Sequence, residues 1–164
     1  MKWSRLFLLA IAAALVGWAW VALHPSPERV IRRRLEKLAL AASYGPNQGY
    51  LAKLSGAQSL ADFCATNIDV NVDVPGRPEL RLAGREDVQQ AALALRASVQ
   101  SVNVTFPDVT IVVGADKTSA VADLTVEARV AGERDMYVQE VKLALHKIEG
   151  QWLIMKAETV RTLR

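Results

Sequence analysis

The stretch YVQEVKLALHKIEGQWLIMKA, residues 137–157, predicts two long strands joined by a tight turn. In the first strand, apolar residues alternate with polar ones at Val141, Leu143 and Leu145. That period of two is typical of a strand with one buried face. Glu149-Gly150 supplies the turn of a hairpin. We therefore expect antiparallel strands over residues 137–148 and 151–161.

The same alternation of apolar and polar residues is found in the residues before 137. One strand carries Ala122, Leu124, Val126, Ala128 and Val130 on a single face. Before it, residues 101–113 predict another strand, whose apolar parity shifts across Pro107-Asp108. Such a shift indicates a bulge or a bend. Four long strands are therefore expected in the second half of the chain.

The first half alternates helices with shorter strands. Ser26 and Pro27 are suited to begin a helix, as N-cap and first helical residue. Short helical pieces are expected at residues 50–54 and 60–64. A hairpin follows, with one strand from Ile68 and another around Leu80 and Leu82. The last predicted helix covers residues 84–98, and its apolar face is Val88, Ala91, Ala92 and Leu95.

The segment from Leu6 to Leu23 contains no charged residue. A helix of that length crosses nearly the whole hydrocarbon core of a bilayer. A cleaved signal peptide is the alternative, but cleavage needs small residues at two positions after the apolar run, and large residues intervene here. We expect residues 1–25 to be a membrane anchor, with residues 6–23 in contact with lipid, and residues 26–164 to be one domain.

Basic charge is concentrated beside this segment. Residues 1–42 hold seven Lys or Arg against two Glu, a net charge of +5, whereas the rest of the chain carries −2. The basic excess therefore favours lipid headgroups, and no nucleic-acid partner is expected. Lys2 and Arg5 favour an extracytoplasmic domain, while the run Arg32-Arg33-Arg34 favours the opposite orientation. We expect a single-pass protein with its domain on the extracytoplasmic side.

A single cysteine, Cys64, excludes an intramolecular disulfide and a thiolate zinc site. Its helical spacing with Leu60 and Phe63 predicts a buried, small apolar side chain rather than a nucleophile. The spacing Asp69-x-Asn71-x-Asp73 imitates a calcium loop, but Val74 stands where the loop needs glycine. No metal site and no cofactor are expected.

Two segments carry a resemblance to a known superfamily: ADFCATNIDVNVDVPG, residues 61–76, and EGQWLIMKAE, residues 149–158. With the order of predicted elements, they resemble the NTF2-like superfamily, which includes SnoaL-type cyclases and ketosteroid isomerases. The resemblance covers residues 28–161. It implies an α+β cone, in which a curved, mostly antiparallel sheet packs on N-terminal helices, here preceded by one transmembrane helix.

The resemblance also implies a cavity between sheet and helices, where related enzymes place an acid or a base. Asp73 is the nearest counterpart of the isomerase base, although one residue of slip relative to the turn proline would put it on the other face. His146 and Tyr50 are the other candidate catalytic groups. The alternative for Asp73 and His146 is that both are exposed strand residues without a catalytic role.

From these observations we expect a membrane-tethered module for binding or assembly, without catalytic activity. A tethered isomerase, dehydratase or cyclase acting on a small apolar molecule is the alternative. In the last strand, Trp152 and Ile154 share one face, and Leu153, Met155 and Ala157 share the other. Since the helices can cover only one face, we expect the second to form a homodimer.

Overall fold

The computed structural model describes residues 26–73 and 79–160. The expected membrane anchor, residues 1–25, and the turn expected at residues 75–78 lie outside these ranges. Within them, none of the helices combines the length and the apolar composition needed to cross a bilayer.

The described part of the chain contains three helices: α1 (Pro27–Ala42), α2 (Tyr50–Ala61) and α3 (Arg85–Ser98). Ser26 is the N-cap of α1, as expected, because its hydroxyl accepts a hydrogen bond from the Arg29 backbone N–H at 3.4 Å. Ile31 and Leu35, one turn apart, point into the core. The two short helical pieces expected after α1 are instead one helix and the start of a strand.

Seven strands form one curved, mixed sheet in the described residues. They are β1 (Cys64–Val72), β2 (Leu80–Ala83), β3 (Val102–Thr105), β4 (Val109–Val113), β5 (Ser119–Val130), β6 (Tyr137–Ile148) and β7 (Gln151–Thr159). Their order is β2-β1-β7-β6-β5-β3, and β4 also pairs with β5. Among these described strands, β1 and β7 are the one parallel pair, and the other pairs are antiparallel. The predicted α+β class and mostly antiparallel sheet are thus confirmed.

The hairpin between β6 and β7 forms as predicted. Glu149 and Gly150 both have positive φ, 49° and 82°. Two successive positive angles are the geometry of a type I′ turn, whose twist matches that of the paired strands.

Cys64 begins β1 and is not helical, which corrects the helix expected at residues 60–64. The Ile154 backbone N–H donates to the Phe63 carbonyl at 2.9 Å, so pairing with β7 starts here and ends the helical spacing. The thiol is nevertheless buried, as predicted, and free.

The strand expected over residues 101–113 is two strands, β3 and β4, that pair in turn with the long β5. Pro107 lies between them and has no backbone N–H to give to a ladder. The chain stays attached to β5 across this break, because the Asp108 carbonyl accepts a hydrogen bond from the Thr125 N–H at 3.1 Å.

A bulge in β7 changes which face its last residues occupy. Ile154 pairs with Leu145, but Lys156 pairs with Ala144, so Met155 is an extra residue. One extra residue reverses the parity of a strand. Ala157 therefore packs on the core side, and its expected place beside Leu153 and Met155 was wrong.

Candidate functional site

The space between α1 and the inner face of the sheet is filled with apolar side chains. Ile31 and Leu35 from α1 meet Leu143 and Leu145 from β6, and Trp152 and Ile154 from β7. Each of these residues is at most 5% exposed. The interior that these residues form is therefore a packed core. A cleft of about 410 Å³ remains beside it, between α1 and strands β3 and β4, and its lining includes Leu35, Phe106 and Val109. Asp73, His146 and Tyr50 do not line this cleft.

Asp73 follows the last residue of β1 and is half-buried. Its backbone N–H donates to the Thr159 hydroxyl at 2.9 Å, which fixes it to the end of β7. By strand parity, Asp73 continues the series of Asp69 and Asn71, opposite to the buried Ile68. The sequence-predicted base thus follows the parity of the outer face of the sheet.

His146 lies on β6 opposite Leu153 of β7, and its side chain is exposed. Thr159, whose hydroxyl accepts a hydrogen bond from the Asp73 N–H, comes six residues after Leu153 along β7. At the rise of an extended strand this is about 20 Å. His146 and Asp73 are therefore at opposite ends of the sheet.

Tyr50, the third candidate, is the first residue of α2 and is 70% exposed. It belongs to the helical side of the molecule, whereas Asp73 and His146 belong to the sheet. The structure does not bring the three candidates into one site. In residues 26–73 and 79–160, no three His, Cys, Asp or Glu side chains lie close enough to hold a metal ion.

Arg96 on α3 is buried, a feature that the sequence analysis missed. It is 4% exposed, and no other charged residue is buried in the described ranges. Leu95, expected on the buried face, is 42% exposed instead. The signal was the spacing of Val88, Ala92 and Arg96, which lie four residues apart and so share one helical face.

Neutral groups surround the Arg96 guanidinium. Its Nη2 donates to the Ala41 carbonyl at 2.5 Å, and its Nη1 donates to Gln48 Oε1 at 3.2 Å. The Tyr44 ring lies beneath it, with its centroid 4.5 Å from Cζ. Ala41 is in the last turn of α1, where carbonyls lack helical partners and the dipole is negative. The end of α1 thus compensates part of the charge.

Space for this guanidinium depends on Gly56 of α2. A Cβ at residue 56 would lie 2.6 Å from Arg96 Nη1, closer than packed atoms approach. Burial lowers the pKa of Arg96 and raises the pKa of Tyr44. Three helices and one glycine therefore build a polar interior that is distinct from the apolar core.

Arg34 differs in burial from its two neighbours in the run Arg32-Arg33-Arg34. Arg32 and Arg33 are exposed, but Arg34 is half-buried with its Cζ 5.0 Å from the centroid of the Phe63 ring. Desolvation lowers its pKa. This contact ties α1 to the segment between α2 and β1.

The outer face of the sheet mixes apolar and charged residues. Val112 of β4 pairs with Val121 of β5, which pairs with Ala144 of β6. Val112 is 63% exposed and Val121 38%. Beside them, Lys142 Nζ lies 3.7 Å from Asp123 Oδ1. This face is an apolar row bordered by an ion pair.

No protein-family model and no curated protein matches the chain. Solved structures match its fold, however. A putative scytalone dehydratase from Novosphingobium aromaticivorans is 16% identical, with a TM-score of 0.62 over 83% of this chain and 84% of that one. An NTF2-like protein of unknown function from Pseudomonas putida is 11% identical, with a TM-score of 0.61 over 82% and 85%.

An NTF2-like protein with a cystatin-like fold, also from Novosphingobium aromaticivorans, is 14% identical, with a TM-score of 0.57 over 92% of this chain and 86% of that one. At such identities the likeness concerns the fold alone. The expected NTF2-like architecture of the domain is confirmed.

Proposed function

We propose that this protein is a membrane-tethered NTF2-like module for binding or assembly, without catalytic activity of its own. The observation that carries the proposal is the packed apolar core between α1 and the sheet, which we call the filled cone. Trp152, 2% exposed, and Leu143, 5% exposed, belong to the core cluster in the interior where the resemblance implies a ligand cavity. An enzyme needs reacting groups that converge on a ligand cavity. Here, packed side chains stabilise the fold at that place.

The tether is proposed from the sequence. The uncharged segment from Leu6 to Leu23 buries more apolar surface than a peripheral attachment, and α1 begins directly after it. We expect the full chain to sediment with membranes and to resist alkaline carbonate. Recovery in the soluble fraction, with a new N-terminus near His24, would instead identify a cleaved signal peptide. We also propose that the domain is extracytoplasmic, which protease protection in oriented vesicles tests.

Assembly is proposed to use the outer face of the sheet, with a second copy of the chain as the partner. The exposed row of Val112 and Val121 lies on this face, and a symmetric pair would bury the same row from both copies. We expect Val112→Glu to convert a dimer into a monomer, as judged by light scattering of the full chain in detergent. Met155→Glu, at the bulge beside this row, should act in the same direction.

Leu40→Glu is the matched control, because Leu40 is 74% exposed but lies on α1, away from the outer face. A monomeric parent at micromolar concentration would contradict the assembly proposal. So would a Val112→Glu variant that stays dimeric.

The alternative function is a tethered isomerase, dehydratase or cyclase. What favours it is the structural likeness to a putative dehydratase, together with the position of Asp73 at the end of β1. Asp73→Asn separates the two functions. A variant that folds normally but has lost its cellular function would favour the enzyme, whereas a fully functional one supports the module.

A further inference from the structure

The buried Arg96 lines a small polar pocket at the helical end of the domain. The pocket has a volume of about 200 Å³, and Tyr44, Gln48 and Lys53 also line it. Its lining thus includes two cationic side chains, Arg96 and Lys53, and no Asp or Glu. A concave site of this composition attracts anions.

Among the residues that the structure describes, no Asp or Glu forms an ion pair with Arg96. Its guanidinium donates hydrogen bonds to the Ala41 backbone carbonyl and to the Gln48 side-chain oxygen. Helix α2 carries no acidic residue, and the acids of α3, Glu86 and Asp87, lie in its first turn. Arg96 comes nine residues after Asp87, which is a helical rise of about 14 Å. Within the described ranges, neither α2 nor the last turn of α3 therefore supplies a negative side chain to this guanidinium.

The start of α2 adds to the positive potential at the pocket. Its N-cap is Gly49, which offers no side-chain cap, and its first turn contains no acidic residue. The N–H groups of an uncapped first turn and the helix dipole both favour an anion. This end of α2 supports a site that already rests on the buried Arg96.

An apolar groove adjoins the polar pocket. It has a volume of about 450 Å³ and is lined chiefly by Tyr50, Leu93 and Ala94. The groove and the pocket share Lys53 and Ala97, so they lie side by side. A ligand that spans both needs an anionic group at one end and an apolar group at the other.

We propose that this cleft between α2 and α3 binds a small monocarboxylate that carries a hydrocarbon chain. The carboxylate accepts hydrogen bonds from Arg96 and Lys53, and the chain lies along Leu93 and Ala94. None of the residues that line this site belongs to a strand of the sheet. The proposal therefore goes beyond the proposed function and does not depend on dimer formation.

The experiment titrates hexanoate into the full-length chain in zwitterionic micelles while backbone amide resonances are followed by NMR. Hexan-1-ol is the neutral control ligand, and hexylamine is the cationic one. We expect saturable shifts of the Lys53 and Ala97 amides with hexanoate and at least about tenfold weaker binding of the other two ligands. Shifts that do not saturate, or equal affinity for hexan-1-ol, would overturn the proposal.

Lys53→Gln is the first variant, because this half-buried lysine can lose its charge without disturbing the core. We expect it to weaken hexanoate binding by about tenfold. Lys37→Gln, at an exposed position of α1, is the matched control and should leave the affinity unchanged. Equal affinities of Lys53→Gln and Lys37→Gln would contradict the assignment, even if hexanoate binds elsewhere.

Arg96→Lys is the second variant, since it keeps the charge but loses the planar fork that holds a carboxylate. Gln48→Leu is its control for packing, because it removes a neutral partner of Arg96 and leaves both cations in place. We expect Arg96→Lys to bind hexanoate more weakly than Gln48→Leu does. The reverse order would place the ligand away from the guanidinium.

Discussion

Two parts of the interior are buried to a similar degree but differ in chemistry. Trp152, in the apolar core, is 2% exposed, and Arg96, among the helices, is 4% exposed. The first contributes by removing apolar surface from water, which needs only close packing. The second must have a partner for each polar atom that it takes out of water. Equal burial therefore does not imply an equal role, and the two regions should respond differently to substitution.

The largest effect is expected in the apolar core. Trp152→Ala should lower the free energy of unfolding by about 3–5 kcal/mol, because it leaves a cavity among packed side chains. Denaturant titration followed by circular dichroism measures the loss. Ile148→Ala, at a position 40% exposed, is the control and should cost far less. Equal losses would mean that the filled cone is not the stabilising core.

Arg96→Met tests the polar region. Methionine fills similar volume but leaves the Ala41 carbonyl and the Gln48 amide without their donor. We expect a loss of about 1–3 kcal/mol, which is the cost of unsatisfied buried acceptors. An unchanged or higher stability would show that desolvation of the guanidinium outweighs its hydrogen bonds.

Gly56→Ala tests the packing around Arg96 by adding a methyl group to the backbone of α2. The added Cβ meets Arg96 Nη1, and we expect a loss of about 1–2 kcal/mol from overpacking. Gly45→Ala is the matched control, since its Cβ would meet no atom within 4 Å. In the Arg96→Met background the cost of Gly56→Ala should shrink, because the guanidinium is gone. Additive losses would exclude this contact as the cause.

The ionisation of the Cys64 thiol tests whether the apolar core excludes charge. Burial raises the pKa of this thiol from 9.0 to about 11. A pKa raised on folding means that the unfolded chain ionises first, so stability falls as pH rises from 9 towards 11. By pH 10 the free energy of unfolding should have fallen by about 1 kcal/mol. Comparison with Cys64→Ala isolates this contribution, and identical pH profiles would contradict it.

The smallest effects are expected at two candidate residues of the sheet, the half-buried Asp73 and the exposed His146. Asp73→Asn and His146→Gln should each change stability by less than about 1 kcal/mol, as is usual for surface residues. Thermal unfolding of the two variants measures this. A larger loss at His146 would mean that it has an interior contact, contrary to its exposed position on β6.

A structural element could be predicted from the sequence when the residues that indicate it lie close together along the chain. The β6–β7 hairpin could be predicted because alternation and a Glu-Gly turn lie within a dozen residues of each other. The break between β3 and β4 was visible as a shift at Pro107, but its outcome as two strands required pairing with β5. The bulge at Met155 had no local signal, since it arises from register with β6.

The sequence by itself determined the α+β class, the N-cap at Ser26, the uncharged segment before it and the apolar period of the long strands. These follow from residue type and spacing along the chain. Only the tertiary structure decided that the cone is filled, that Asp73 and His146 lie about 20 Å apart, and that Arg96 is buried. Arg96 contacts residues 41, 44, 48 and 56, which three different helices and a loop bring together. Such a partner set depends on packing between elements, which no periodicity within one helix can specify.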